Sequence, residues 1–252
     1  MTQFLEMDHI KGVFFDLHGT ILLSDDIDAA WANWAQKFHE AMQEKGADIS
    51  FDEFKKLLQN LFEGPEPEFN DTNFSLFMRR VKQLGQTLKI NLPDDDIRPL
   101  VDRIIRVWHK GMYLDEEIIP ILEKLKENYK VGLVTNWEHT PRIYELLREL
   151  DADELFDCVV VSDGVGYAKP DPRVFKPAFN ITEVSAEESI YVGDMHVDVE
   201  GAINAGMQPV LIKRVGDNGD WDQFSEKTEC NYTEDQVIVI QRLSQLLDVL
   251  KC

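Results

Sequence analysis

Six short apolar runs alternate with helical patterns along this chain, and this alternation constrains the fold more than any other feature. The runs are IKGVFF (10–15), KVGLVT (130–135), CVVVS (158–162), SIYVG (189–193), QPVLIK (208–213) and a weaker QVIVI (236–240). Strands of a parallel sheet read as continuous apolar runs because helices bury both of their faces. The sequence therefore predicts an α/β protein built on a parallel sheet with helices on both faces.

Helix signals between the later runs support this prediction. Thr140 and Pro141 open TPRIYELLREL with a capping residue and a proline at the first helical position. The pattern VEGAINAG ends at Gly206, a typical residue for terminating a helix. Two further helices are expected, one before the second run and one at the end of the chain.

Residues 24–111 interrupt the alternation with helical spacing alone. Ser50 and Glu53 form a capping box before FKKLLQNLF, and Gly46 stops the preceding pattern. Apolar stripes, several of them aromatic, are expected to form this segment's own core. The sequence thus predicts a Rossmann-like core from residues 1–23 and 112–252, with an all-helical domain inserted at 24–111.

The charge of the chain restricts its partners. A formal net charge of −21 in 252 residues disfavours nucleic acid and anionic lipid as partners. No apolar run approaches the roughly 20 residues of a membrane helix, and the first residues lack the pattern of a secretory signal. Cys158, Cys230 and Cys252 have no metal-binding spacing, so we expect reduced thiols and a cytoplasmic location. The oligomeric state is not readable from the sequence.

Polar residues follow four of the predicted strands, at the edge where open parallel sheets bind ligands. They are Asp16, His18 and Thr20; Thr135 and Asn136; Ser162, Asp163 and, a few residues on, Lys169; and Asp194 and Asp198. Three converging carboxylates are unfavourable unless a cation or a proton separates them, and hard oxygen ligands suit Mg²⁺. Lys169 adds a positive charge and Thr135 a hydroxyl donor. The set predicts a phosphate site in which Asp16 is placed to attack.

The motifs FFDLHGTIL, VTN, KPDPRVF and VGDMHVDVEGAINAGM occur in this order. In them the chain resembles the haloacid dehalogenase-like hydrolase superfamily, in the subgroup with a helical cap domain between the first two motifs. The resemblance implies a phosphatase that acts on a small phosphorylated substrate with Mg²⁺. It implies the following roles: Asp16 as nucleophile, Thr135 and Lys169 as phosphate binders with Asn136 beside them, Asp194 as metal ligand, Asp198 in support of the metal, and the carbonyl of His18 as a further ligand.

His18 departs from the family pattern, because phosphatases of this family carry Asp at that position to protonate the leaving group and activate water. In one interpretation His18 takes over as general acid and base, with neighbouring carboxylates and phosphate raising its protonated fraction and the metal lowering it. In a second, the protein cleaves carbon–halogen or phosphonate bonds, although Asp194 and Asp198 argue against a metal-free dehalogenase. In a third, it binds phosphate or metal with little or no turnover.

The inserted domain contains basic residues that could serve phosphonate cleavage or bind an anionic substrate, and the sequence does not single out one of them. A phosphonate-cleaving enzyme of the family uses a lysine of the cap domain, and the candidates are Lys37, Lys45, Lys55, Lys56, Lys82 and Lys89. Five other residues could reach an anionic substrate but are expected to be solvated helix residues: His39, Arg79, Arg80, Arg103 and Arg106.

Overall fold

The computed structural model describes residues 7–67, 73–214 and 232–251. Its strands are β1 (Gly12–Phe15), β2 (Leu22–Leu23), β3 (Tyr113–Leu114), β4 (Lys130–Thr135), β5 (Cys158–Val161), β6 (Ser189–Gly193), β7 (Gln208–Ile212) and β8 (Ile238–Ile240). Its α-helices are α1 (Ile27–Glu44), α2 (Phe51–Glu63), α3 (Leu76–Thr87), α4 (Asp94–Trp108), α5 (Ile118–Leu125), α6 (Thr140–Glu149), α7 (Ser162–Val165), α8 (Lys176–Thr182), α9 (His196–Ala205) and α10 (Gln245–Leu250). None of these helices is long and apolar enough to cross a membrane.

Six strands form one parallel sheet in the order β5-β4-β1-β6-β7-β8. Each corresponds to one of the six predicted runs, so the α/β prediction is confirmed. Val13, Phe14 and Phe15 of β1 are all fully buried. Since successive residues of a strand point to opposite faces, both faces of the sheet are covered at its centre.

The core on one face of the sheet packs around Phe14, which contacts Phe179 of α8 edge-to-face with ring centroids 5.9 Å apart. Cys158 lies in this core as a free thiol, and burial followed by the charge of Asp157 raises its pKa to about 12. This thiol therefore stays protonated and unreactive at neutral pH. Cys230 and Cys252 lie outside the described residues.

A second, two-stranded sheet was not predicted. β2 and β3 pair antiparallel, with Leu22 opposite Leu114 and Leu23 opposite Tyr113. Strands of two residues carry no periodic pattern, which explains why the sequence did not reveal them. The pairing brings together the two points between which the inserted helical segment lies.

The chain forms two compact units. The first comprises Met1–Leu23, Tyr113–Trp137 and Leu147–Cys252, and the second comprises Ser24–Met112 and Glu138–Leu146. The sequence-based division placed 138–146 with the sheet, whereas in the structure this segment belongs to the second unit. Contacts within that unit explain the difference: Glu138 pairs with Arg80 at 2.9 Å, and the ring of His139 bonds Ser75 Oγ at 2.7 Å.

The second unit packs α1 to α4 around buried aromatic side chains. Trp34, Phe38 and Phe77 lie on predicted helical stripes, and these three side chains and Phe54 are almost completely buried. Ring centroids of neighbours in this group lie 5.3–6.3 Å apart. The capping box of Ser50 at the start of α2 is present as predicted.

Candidate active site

The candidate site lies at the carboxyl ends of the three central strands of the six-stranded sheet. Asp16 follows β1 directly, and β1 lies between β4 and β6. Thr135 ends β4, and Asp194 follows β6. All of these residues belong to the first unit.

Three carboxylates converge there. Asp16, Asp194 and Asp198 each offer an oxygen atom, and these oxygens lie within 4.8 Å of one another. Burial raises the pKa of Asp194 well above its ordinary value of 3.8, and the charges of Asp198 and Asp16 raise it further. Burial likewise raises the pKa of Asp198. A cation among these carboxylates would offset the cost of their charged forms, so the three oxygen donors fit a hard divalent cation such as Mg²⁺.

Lys169 is the counter-charge of this cluster, and its side chain is 2 % exposed. Its Nζ donates to Asp16 Oδ1 at 2.6 Å and to Asp198 Oδ1 at 2.7 Å. It also lies 2.8 Å from the hydroxyl of Tyr191, which in turn donates to the carbonyl of Val134. Burial alone would lower the pKa of Lys169, but the attraction of the two carboxylates outweighs it and the pKa is raised. Lys169 is therefore charged at neutral pH.

Asn136 fixes the backbone of Lys169. Its Nδ2 donates to the Lys169 carbonyl at 3.0 Å, and its Oδ1 accepts from the Lys169 N–H at 2.8 Å. These two bonds use both ends of the amide, so the structure gives Asn136 a role in orienting the lysine. Its predicted contact with substrate stays a prediction.

Thr135 offers a polar atom to a ligand. The residue is 1 % exposed. Its Oγ1 has no hydrogen-bond partner among the described residues. A buried hydroxyl without a partner is costly, so a ligand oxygen beside it would be stabilised.

The turn after β1 approaches Asp194 closely. Gly19 adopts φ +77°, and a Cβ atom there would lie 2.1 Å from Asp194 Oδ2. Thr20 Oγ1 donates to Asp194 Oδ1 at 2.9 Å. Glycine is thus required at 19 for both the conformation and the space, and Thr20 orients the carboxylate.

His18 lies buried in the same turn, and its ring stacks on Trp137 with centroids 4.6 Å apart and planes 21° apart. Ser162 holds the backbone of Trp137, accepting from its N–H at 2.9 Å and donating to its carbonyl at 3.1 Å. Burial and then the charge of Lys169 lower the pKa of His18 to about 3. The expectation that neighbouring carboxylates raise its protonated fraction is therefore wrong, because burial and the charge of Lys169 both lower this pKa, while the expected effect of a bound phosphate stays a prediction.

The structure places several basic residues of the second unit in ion pairs or in its interior, whereas Lys56 and Lys89 are exposed. Arg80 and His39 are buried, contrary to the expectation that they are solvated. Arg80 pairs with Glu138, and the His39 ring nitrogen lies 2.8 Å from the carbonyl of Ile49. Arg103 pairs with Glu44 and Arg106 with Glu145, each at 2.7 Å.

Tyr191 and Trp137 are the two site residues that the sequence did not single out. Tyr191 lies within an apolar strand and reads as a core residue, although it contacts Lys169. Trp137 directly follows Asn136. Its position two residues after the end of the second predicted strand was the one signal that could have revealed it.

Comparison with known proteins gives consistent results. A sequence profile described as "Haloacid dehalogenase-like hydrolase" matches residues 13–212. A glyceraldehyde 3-phosphate phosphatase of Pyrococcus furiosus is 29% identical over 258 residues, covering 97% of this chain and 95% of that protein.

Two solved structures extend the comparison. A HAD phosphatase from Thermococcus onnurineus has 25% identity and a TM-score of 0.64, covering 96% of this chain and 98% of that one. A 2-haloacid dehalogenase from Pseudomonas syringae pv. Tomato DC3000 has 24% identity and a TM-score of 0.65 with the same coverage. The dehalogenase likeness concerns the fold alone.

Proposed function

This chain belongs to the haloacid dehalogenase-like hydrolase family, and we propose that it is a Mg²⁺-dependent phosphatase acting on a small phosphorylated molecule. The family and the hydrolase class were both predicted from the motifs and are confirmed. The observation that carries the proposal is the buried group of Asp16, Asp194 and Asp198, whose oxygens lie within 4.8 Å of one another. Lys169 bonds the first and the last of the three.

Four groups of the chain would hold the metal. They are the carboxylates of Asp16, Asp194 and Asp198 and the backbone carbonyl of His18. A bound Mg²⁺ would neutralise charge on the phosphoryl group. Thr20 would keep Asp194 oriented through its 2.9 Å hydrogen bond.

Asp16 would act as nucleophile. One of its carboxylate oxygens attacks phosphorus, the bond from phosphorus to the leaving oxygen breaks, and that oxygen departs with the electron pair. The product is an aspartyl-phosphate. Lys169 is charged and bonds two of the carboxylates. Together with the hydroxyl of Thr135, which has no hydrogen-bond partner among the described residues, it would stabilise negative charge on the phosphoryl oxygens.

The low pKa of His18 would limit proton transfer in both steps of the reaction. With a pKa of about 3, its imidazole is neutral at pH 7 and has no proton to give to the leaving oxygen. A neutral imidazole can accept a proton, but with so low a pKa it is a weak general base for the water that hydrolyses the aspartyl-phosphate. We therefore expect substrates whose leaving groups need little protonation, such as aryl and acyl phosphates.

Small alkyl phosphates belong in the same test. The Pyrococcus furiosus relative is named for glyceraldehyde 3-phosphate and matches this chain over almost its whole length. A three-carbon phosphate is therefore a candidate substrate by similarity. Slow turnover of it beside fast turnover of an aryl phosphate would reflect the lack of a proton donor at position 18.

A metal-free dehalogenase is the less favoured alternative. The pKa values of Asp194 and Asp198 stand above their ordinary value, first because both carboxylates are buried and further because they lie close to Asp16. A dehalogenase would gain nothing from that cost. Phosphonate cleavage would need a lysine of the helical unit, and Lys45 and Lys82, for example, pair with Asp96 and Asp94.

The test is a panel of aryl, acyl and alkyl phosphates, a phosphonate and a 2-haloacid, assayed with Mg²⁺ and with EDTA. We expect phosphate release that EDTA abolishes and that D16N loses. Release unaffected by EDTA would contradict the metal assignment, and halide release would favour the dehalogenase. Binding of beryllium fluoride without turnover of any compound would favour a phosphate-binding protein instead.

Several expectations accompany this proposal. The helical unit would act as a cap that closes over the site and excludes water. The partners would be small phosphorylated molecules rather than nucleic acid or membrane. The cytoplasmic location stays a prediction.

A further inference from the structure

The side chain of Arg214 hydrogen-bonds the backbone of the turn that follows the proposed nucleophile. Its Nη1 donates to the carbonyl of Gly19 at 2.6 Å, and its Nη2 donates to the carbonyl of Thr20 at 2.6 Å. Arg214 lies two residues after the end of β7, about 195 residues along the chain from this turn. We propose that Arg214 is a positioning residue that fixes this turn and thereby the metal-binding orientation of Asp194.

The guanidinium is itself held in place. Its Nη2 also donates to Asp115 Oδ2 at 2.7 Å, and the side chains of Arg214 and Asp115 are 20% and 11% exposed. Asp115 Oδ1 accepts from the N–H of Glu117 at 2.9 Å, which sets the direction of the carboxylate. The N–H of Asp115 donates to the carbonyl of Ile21 at 2.9 Å, so the counter-ion is anchored to the same turn.

Of the two carbonyls, that of Gly19 matters most for the orientation of Thr20 and Asp194. The carbonyl of Gly19 and the N–H of Thr20 share one rigid peptide plane, so holding the oxygen also fixes the N–H. Gly19, at φ +77°, is the residue at which this plane could rotate most easily. Rotation there would move the hydroxyl of Thr20 away from Asp194 Oδ1, which it bonds at 2.9 Å.

The planar guanidinium of Arg214 bonds three acceptors at once, namely two carbonyls and the carboxylate of Asp115. Arginine presents several N–H groups in fixed directions, whereas lysine is a point charge on a flexible stem. Groups that orient a metal ligand typically change metal affinity by about 10- to 100-fold when they are removed. We expect loss of Arg214 to fall in that range, acting through the turn that it binds.

The inference rests on the proposed metal site, so the experiment measures metal binding directly. Mg²⁺ is titrated by calorimetry into metal-free wild type, R214A, R214K, T20V and the R214A/T20V double variant. R242A is the matched control, because Arg242 is an exposed arginine of the same unit that pairs with Glu117. Circular dichroism checks that each variant is folded. If R214A does not fold, the Mg²⁺ affinity of R214K is compared with that of wild type instead.

We expect R214A and T20V each to bind Mg²⁺ at least about 10-fold more weakly, within the usual range for groups that orient a ligand. The double variant should be little worse than the weaker single variant, because both changes disturb the same hydrogen bond. R214K should remain several-fold weaker than wild type, and R242A should match wild type.

Three outcomes would overturn the inference while leaving the proposed function intact. They are wild-type affinity in R214A, full recovery in R214K, or effects of R214A and T20V that simply add. If wild type binds no Mg²⁺, the proposed function fails and the inference fails with it.

Discussion

Replacing Lys169 by methionine tests the electrostatics of the site without any assay of activity. Methionine keeps an unbranched apolar stem but removes the charge that Asp16 and Asp198 share. Both carboxylates would then be buried without a cationic partner. Removing one partner of a buried ion pair typically costs about 3–5 kcal/mol. For a chain of this size each kcal/mol lowers Tm by about 2–4 °C, so K169M should melt roughly 6–20 °C lower.

The measurement is unfolding in urea and by heat, followed by circular dichroism, in EDTA and in Mg²⁺. Saturating Mg²⁺ should recover part of the loss, because the cation supplies positive charge to the same carboxylates. K11M is the matched control: Lys11 pairs with Glu188 at the surface, where such pairs contribute about 1 kcal/mol or less. A loss in K169M no larger than that in K11M would refute the reasoning about the buried cluster.

Two further predictions concern His18 and Asp194. H18D should speed hydrolysis of alkyl phosphates at least about ten-fold and that of aryl phosphates much less, because the aspartate supplies the missing acid. Rates measured for wild type and H18D over a series of leaving groups would show this difference. An equal gain for alkyl and aryl phosphates would contradict the prediction. The pKa of Asp194 is raised in the folded protein, so the metal-free folded state binds this proton more tightly than the unfolded state does. The contribution of Asp194 to the free energy of unfolding therefore falls as pH rises above 3.8, the ordinary pKa of the group. D194N lacks this titration, so its stability in urea relative to wild type should increase from pH 4 to pH 7 in EDTA, and a constant difference would argue against the raised pKa.

The strands and the acidic residues of the site could be predicted because each has a local signal. A fully buried parallel strand is a continuous apolar run, and Asp16 and Asp194 each follow such a run directly. The helix end at Gly206 was likewise visible, and the residue adopts φ +84°. These features depend on neighbours in the sequence, so the pattern alone was sufficient.

The remaining features depend on contacts between distant residues. The hydroxyl of Tyr191 and the fork of Arg214 matter through partners that only the folded sheet brings close. The pKa of His18 is governed by burial, which the list of neighbouring charges did not reveal. The segment 138–146 follows a core strand, yet Arg80 and Ser75 bind it to the helical unit.

The pairing of Leu22–Leu23 with Tyr113–Leu114 holds the two ends of the long helical insertion together, as the two strands of a hairpin hold the ends of a loop. Because the free energy of closing a loop grows only slowly with its length, segments of different size could be exchanged above this pairing without moving Asp16. Such a graft would need two pieces of chain. A replacement of Ser24–Met112 alone would leave Glu138 and His139 behind without the arginine and serine that they bind. Any recombination of this scaffold therefore has to carry the short segment after β4 together with the insertion.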